Sequence, residues 1–165
     1  MEKYFNMLYR EGVNKAVRIS ADSIVTAPWS SYKCRYGCDF YGKNLCCPPN
    51  TPSWKETREM IACYEYGILF NAKDSSAVAI TPLAVHLARE AFLDGYYKVV
   101  AFGSGPCLKC RECSMTHCRF PKETVPSMEG CGIDVFATVR NNGFEIDTVR
   151  NKNAEHDYFG LVLFE

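Results

Sequence analysis

Lys98-Val99-Val100-Ala101-Phe102 runs through Gly103-Ser104 into Gly105-Pro106-Cys107-Leu108-Lys109-Cys110-Arg111-Glu112-Cys113-Ser114-Met115-Thr116-His117-Cys118-Arg119-Phe120-Pro121. The first five residues form a short run rich in β-branched side chains, which reads as a buried strand. The residues after Phe102 cannot continue it. Gly105-Pro106 favours a sharp turn, cysteines recur after gaps of two, two and four residues, and Pro121 stops the chain from running straight on. A strand therefore delivers the chain directly into a thiol-rich loop, and the partner of that strand decides the fold.

Upstream, Ile68-Leu69-Phe70 within Tyr66 to Asn71 is a continuous apolar run of the kind buried on both faces. Thr81-Pro82 then opens a helix to about Asp94, with Leu83, Leu87, Ala88, Ala91 and Phe92 as its apolar stripe and Gly95 as its stop. Strand, helix, strand suggests a right-handed crossover and parallel pairing. The expected class is α/β (or α+β), a single compact domain over residues 1–165. It has a small, mostly parallel sheet flanked by helices, and two cysteine-rich loops. The central loop would leave the carboxyl end of a strand, where α/β proteins place their sites.

The remaining segments are read more coarsely. Residues 1–20 suit a short helix, with Tyr4, Phe5, Leu8 and Tyr9 near helical spacing, and Ile19 to Trp29 reads as extended, closed by Pro28. Cys34 to Asn50, with Gly37, Gly42 and Pro48-Pro49, reads as a folded loop. Ser53 to Glu56 matches a capping box at the start of a helix whose buried face is Trp54, Thr57, Ile61 and Ala62, and Cys63 near its end reads as a small buried hydrophobe. Pro126 to Gly132 leads into a third helix, capped by Ser127 and ending near Gly143. That puts Cys131 in a first turn, where the positive helix end favours a thiolate, with Met128, Val135 and Val139 on its face. Gly160 to Phe164 is a final strand.

At 165 residues the chain can bury a core without stapling, so ten cysteines need another reason. Nineteen basic residues balance nineteen acidic ones, which argues against nucleic acid or an anionic membrane as partner. No secretory signal is apparent, and no apolar run approaches the roughly 20 residues that cross a bilayer. The expected setting is the cytoplasm, without membrane insertion, where dense cysteine means metal ligation or redox chemistry.

The Cys107, Cys110, Cys113, Cys118 spacing resembles that by which bacterial ferredoxins hold a cubane iron–sulfur cluster, with a last gap of four in place of three and Arg119-Phe120 before the proline. A tightly coiled loop brings closely spaced sulfurs to separate iron corners, and its N–H groups point at those sulfurs. A second group is Cys34, Cys38, Cys46 and Cys47. The side chains of adjacent Cys46 and Cys47 diverge, so Cys47, beside the prolines, is the preferred ligand and Cys46 a reserve. The ferredoxin resemblance implies swapped wiring. Cys47 would then complete a cube on Cys107, Cys110 and Cys113, while Cys34, Cys38 and Cys118 hold a second with Cys46 or Cys131. The simpler alternative is one local cube on Cys107, Cys110, Cys113 and Cys118 beside a separate site on Cys34, Cys38 and Cys47, with Cys131 as a further candidate.

Tyr41-Gly42 followed by Cys47-Pro48-Pro49, the Cys107 to Cys118 run with Arg119 and Pro121, and Pro126-Ser127-Met128-Glu129 followed by Gly132-Ile133-Asp134-Val135 together resemble an uncharacterised prokaryotic family described as predicted metal-binding proteins. The resemblance spans residues 20–165. It implies metal binding in an anaerobic, cytoplasmic setting such as that of methanogens.

The expected function is that of an iron–sulfur redox protein, with one or two [4Fe-4S] clusters, transferring electrons to a redox protein partner. A zinc-stabilised binding module, and a cluster enzyme with an open iron corner, are the alternatives. Histidines 86, 117 and 156 are scattered and form no acid–base constellation; His117 reads as a solvated loop residue. Tyr36, Phe40, Tyr41 and Phe120 could wall the site from water. Lys33, Arg35, Lys43, Lys109, Arg111 and Arg119 give the loops local positive charge suited to an acidic partner.

Overall fold

The computed structural model describes residues 1–151 and 154–165. It begins with α1 (Glu2–Arg10), in which Tyr4 and Leu8, one turn apart, are buried. Residues 15–20, expected to remain helical, instead form β1 (Lys15–Ser20), where β-branched Val17 and Ile19 sit well on a pleated surface. The extended reading of the next stretch holds in part: Ser20, Ile24 and Ala27 are extended and Thr26 bridges to Ile133, while Ala21–Ser23 form a 3-10 turn. Pro28 opens α2 (Pro28–Gly37) at the first helical position, which needs no N–H, so Cys34 lies on a helix and Cys38 just beyond it. α3 (Trp54–Ile61) starts where the capping box places it: Glu56 N donates to Ser53 Oγ at 3.4 Å and Ser53 N to Glu56 Oε2 at 2.7 Å.

β2 (Tyr66–Lys73), α4 (Ile80–Leu93) and β3 (Val100–Phe102) come next in the expected order, and β4 (Asp157–Phe164) ends the chain. Among the described residues the strands form one sheet in the order β1-β2-β4-β3, with every neighbouring pair antiparallel. The mostly parallel sheet is thereby overturned. β2 and β3 do run the same way, but β4 inserts between them, pairing with β2 from Tyr66↔Phe164 to Lys73↔Asp157 and with β3 from Val100↔Leu163 to Phe102↔Leu161. The apolar run that read as parallel is buried on both faces because both faces of this antiparallel sheet are covered. Ile68, Phe70, Val162 and Phe164 pack with Leu8, Leu83 and Leu87 of the α1/α4 layer. Leu69, Leu161 and Leu163 pack on the opposite face with Ile61, Met128, Ile133 and Val139. A continuous hydrophobic strand reports two covered faces and leaves direction undetermined.

The third helix is also shorter and later than expected. Glu129–Cys131 form a single 3-10 turn, Gly132 turns into the left-handed region at φ 79°, and α5 (Val135–Asn141) starts afresh with Asp134 Oδ1 accepting from Ala137 N at 2.9 Å. Cys131 is thus no helix-start thiolate. It is fully buried in the core beside Met128 and Ile133.

This layer holds both cysteine loops. Gly103 N donates to Pro126 O at 2.9 Å and Met128 N to Gly103 O at 3.2 Å, which closes the base of the excursion between them. The segments flanking the 38–50 loop dock beside it, Thr51 Oγ1 donating to Gly130 O and Ser30 Oγ of α2 to Glu129 O, both at 2.5 Å. No described helix is long and apolar enough to cross a membrane.

Candidate metal centre

None of the ten cysteines is in a disulfide. Two loops close around a cavity of about 430 Å³ lined by five of them, Cys46, Cys107, Cys110, Cys113 and Cys118. Phe40, Leu45, Met115 and Phe120 supply apolar wall, and Lys43, Arg111 and Arg119 supply positive charge. Tyr36 and Tyr41, expected in the same wall, line a neighbouring pocket with Tyr32 and Arg35. Lys109 also borders the cavity but is held by Glu123 at 2.9 Å. His117 is exposed, with Nδ1 3.3 Å from Thr116 Oγ1.

Donors are already aimed at the sulfurs. Phe120 N donates to Cys118 Sγ at 3.4 Å. Thr124 Oγ1 donates to Cys107 Sγ at 3.3 Å and stands 3.7 Å from Cys46 Sγ, so one hydroxyl spans both loops. The backbone N–H groups of Met115 and Leu45, with the Arg119 guanidinium, hold the Cys113 thiol below its ordinary range. Met115 reaches that position at φ 60°, a conformation a side-chain-bearing residue adopts at a cost.

The adjacent pair Cys46-Cys47 does diverge, but in the sense opposite to the preferred reading. Cys46 joins the cavity. Cys47 is buried toward Cys34 and Cys38, with the Cys107 N–H facing its sulfur. Two thiol groups therefore stand back to back, and Cys107 touches both. Asn44 fixes the divergence, its side-chain oxygen accepting from Cys46 N at 3.1 Å while its carbonyl accepts from Cys47 N at 3.2 Å. Cys131 sits beneath Cys46, and Cys63 is exposed beyond α3, donating to Glu59 O at 3.6 Å. Among the described residues no three His, Cys, Asp or Glu side chains converge tightly on a single-ion position.

Sequence reading missed three residues of this region. Thr124 and Asn44 are a loop hydroxyl and a loop amide with no distinguishing spacing. Glu129 lies in a quoted motif, yet nothing in the motif marks its carboxyl as enclosed. Oε1 accepts from Gly105 N at 3.1 Å at the base of the cysteine loop, and burial pushes its pKa up.

Burial raises the thiols of Cys34 and Cys46 to about 11 and that of Cys131 to about 12. An unfolded chain releases these protons near the ordinary thiol pKa of roughly 8.5, whereas the fold retains them, so the unfolded state binds fewer protons across this window. Stability of the metal-free protein accordingly falls from about pH 8.5 upward, at no more than roughly 1.4 kcal/mol per pH unit for Cys131. Half-buried Cys34 and Cys46 contribute less because water screens them. Thermal melts of metal-free wild type and Cys131→Ala from about pH 7.5 to about pH 10.5, a span that brackets the onset expected near pH 8.5, should give the steeper decline in wild type. Parallel declines would remove Cys131 as a cause.

Thiols from two loops line one cavity, with N–H and O–H donors turned to their sulfurs, an arrangement that suits ligation of a metal or cluster. The chain belongs to the family described as "Predicted metal-binding protein (DUF2284)", whose model matches residues 17–164. No curated protein and no solved structure matches it.

Proposed function

We propose that the cavity holds a cubane iron–sulfur cluster and that the protein carries electrons between redox partners. The supporting observation is the spread of five thiols around a 430 Å³ space. A cluster presents several separated corners, whereas zinc draws four ligands to one point. Cys107, Cys110, Cys113 and Cys118 are the proposed thiolates, and Cys46, protonated to high pH, stands in reserve. Cys34, Cys38 and Cys47 form a second, three-thiol group, separated from the first by the backbone of Cys107. Bound at the first site, the cluster would supply one-electron chemistry. The chain's own residues hold the thiolates by hydrogen bonds and exclude water with Phe40, Met115 and Phe120. Lys43 and Arg111 present charge to an acidic protein partner.

Protein purified and reconstituted without oxygen should contain iron and acid-labile sulfide in equal amounts and absorb broadly in the visible. Zinc without sulfide would replace this reading with a structural zinc module. Thr124→Val removes the one hydroxyl that spans Cys46 and Cys107, and it should lower the reduction potential while leaving iron content intact. An unchanged potential in the loaded variant would show that this hydrogen bond does not tune the centre.

A further inference from the structure

We propose, building on that electron-transfer reading, that the pocket between the start of α4 and the cysteine loop binds a neutral, mainly apolar, electron-accepting ring molecule of the quinone class. It has a volume of about 400 Å³ and shares Cys107, Leu108 and Lys109 with the wall of the metal cavity. One stretch of backbone is thus the partition between the two spaces. Thr124 lines the pocket as well, and its hydroxyl donates to Cys107 Sγ, so an occupant lies one hydrogen bond from a proposed cluster ligand.

The chemical class is set by what the walls leave unsatisfied. Val78, Ile80, Pro82, Pro106 and Leu108 are apolar. The polar groups are already matched: Thr81 Oγ1 both donates to Ser104 O and accepts from Ser104 N at 3.1 Å, Lys109 pairs with Glu123 at 2.9 Å, and Tyr158 Oη meets His156 Nε2 at 2.8 Å. A charged or strongly hydrogen-bonding ligand would have to break these pairs, whereas an apolar ring leaves them in place. The ion pair is electrically neutral, which favours a neutral ligand. Cavities of roughly 150 Å³ accept benzene, so this one has room for two fused rings. Leu108 and Tyr158 are 73% and 39% exposed at its mouth, apolar surface that a ligand would take out of water. A cluster bound to the cysteine loop would supply two electrons, one at a time, and with two protons from water at its oxygens the quinone would become the hydroquinone. No bond to protein forms, and the electrons are replaced by a reduced protein partner.

The test uses protein as purified without oxygen, reduced with dithionite, freed of it by desalting, and mixed with dimethylnaphthoquinone, whose fully substituted quinone ring does not add thiols. Reoxidation of the visible absorption should proceed at a rate that saturates with this quinone. Ala79→Trp, which fills the pocket, and Val78→Glu, which puts a charge into it, should each slow that reaction at least tenfold while reoxidation by ferricyanide keeps its rate. Variants that react with the quinone as fast as wild type overturn the proposal. Equilibrium dialysis of the unreduced protein separates the two readings. Dimethylnaphthoquinone retained by wild type and lost by both variants supports the pocket even if no iron is found, and equal retention by all three overturns it.

Discussion

Cys113→Ser should lose the proposed metal centre: iron and sulfide bound after anaerobic reconstitution are expected to fall at least tenfold relative to wild type, while Cys63→Ser should bind as wild type does. The difference comes from surroundings. Cys113 faces three backbone N–H groups, those of Met115, Leu45 and Ser114, and a guanidinium, which favour its thiolate, and thiolate is the form that ligates metal. A serine hydroxyl ionises far less readily and offers a harder oxygen in place of a soft sulfur. The cavity's fifth thiol does not rescue the loss, because Cys46 is pushed up to about 11 and is tied to Thr124 and Asn44. Cys46→Ser should therefore cost much less metal than Cys113→Ser. If the two variants bind equally little, Cys46 is a full ligand and the assignment of four thiolates is wrong; if Cys113→Ser keeps its metal, the loop is not the centre.

The features legible in the chain alone are the local ones. β2, α4, β3 and the α3 capping box each rest on a few neighbouring residues, and each forms within a few positions of its expected bounds. The sheet's direction is not local. It depends on β4, which enters between β2 and β3 from the far end of the chain, and nothing near Ile68 or Val100 encodes that insertion. The site divides in the same way. The Cys107 to Cys118 spacing is a property of one loop, and all four of those thiols line one cavity. Whether Cys46 or Cys47 joins them depends on how the 38–50 loop docks, which Asn44, Thr51 and Ser30 determine through bonds to the backbone, those of Thr51 and Ser30 reaching far along the chain. Cys34 reads as a loop residue because the glycines and prolines downstream dominate the pattern, although Pro28 is well suited to start a helix. Cys131 reads as a helix-start thiolate because the pattern of apolar residues continues through a glycine that ends the turn.

That glycine carries the largest expected effect on stability. Gly132 has φ 79°, and a Cβ built there would lie 2.5 Å from Trp54 Cβ and 2.7 Å from Trp54 Cα. Neither side can yield. Trp54 opens α3 directly after Ser53, the first residue of the capping box, and Gly132 is held by Ala27 N donating to its carbonyl at 2.9 Å, with Asp134 N donating to Val25 O at 2.8 Å. Gly132→Ala therefore combines a left-handed backbone penalty with an overpacked contact, together about 2 to 5 kcal/mol, a large part of the roughly 5 to 15 kcal/mol that holds a domain together. The melting temperature should drop by about 10 °C. Gly95→Ala is the discriminating control: its φ is 104°, but no atom lies within 4 Å of the added carbon, so it incurs the backbone penalty alone. The displacement should also reach the metal. Gly130 carbonyl anchors Thr51, and the Cys46 carbonyl lies 3.6 Å from the position a Gly130 Cβ would occupy, so pushing this turn outward shifts the first cysteine loop. Gly132→Ala should accordingly retain less iron than Gly95→Ala at a temperature where both are folded. Equal melting temperatures for the two variants would mean that α3 and the Glu129–Cys131 turn are not in the fixed contact on which the second wall of the site depends.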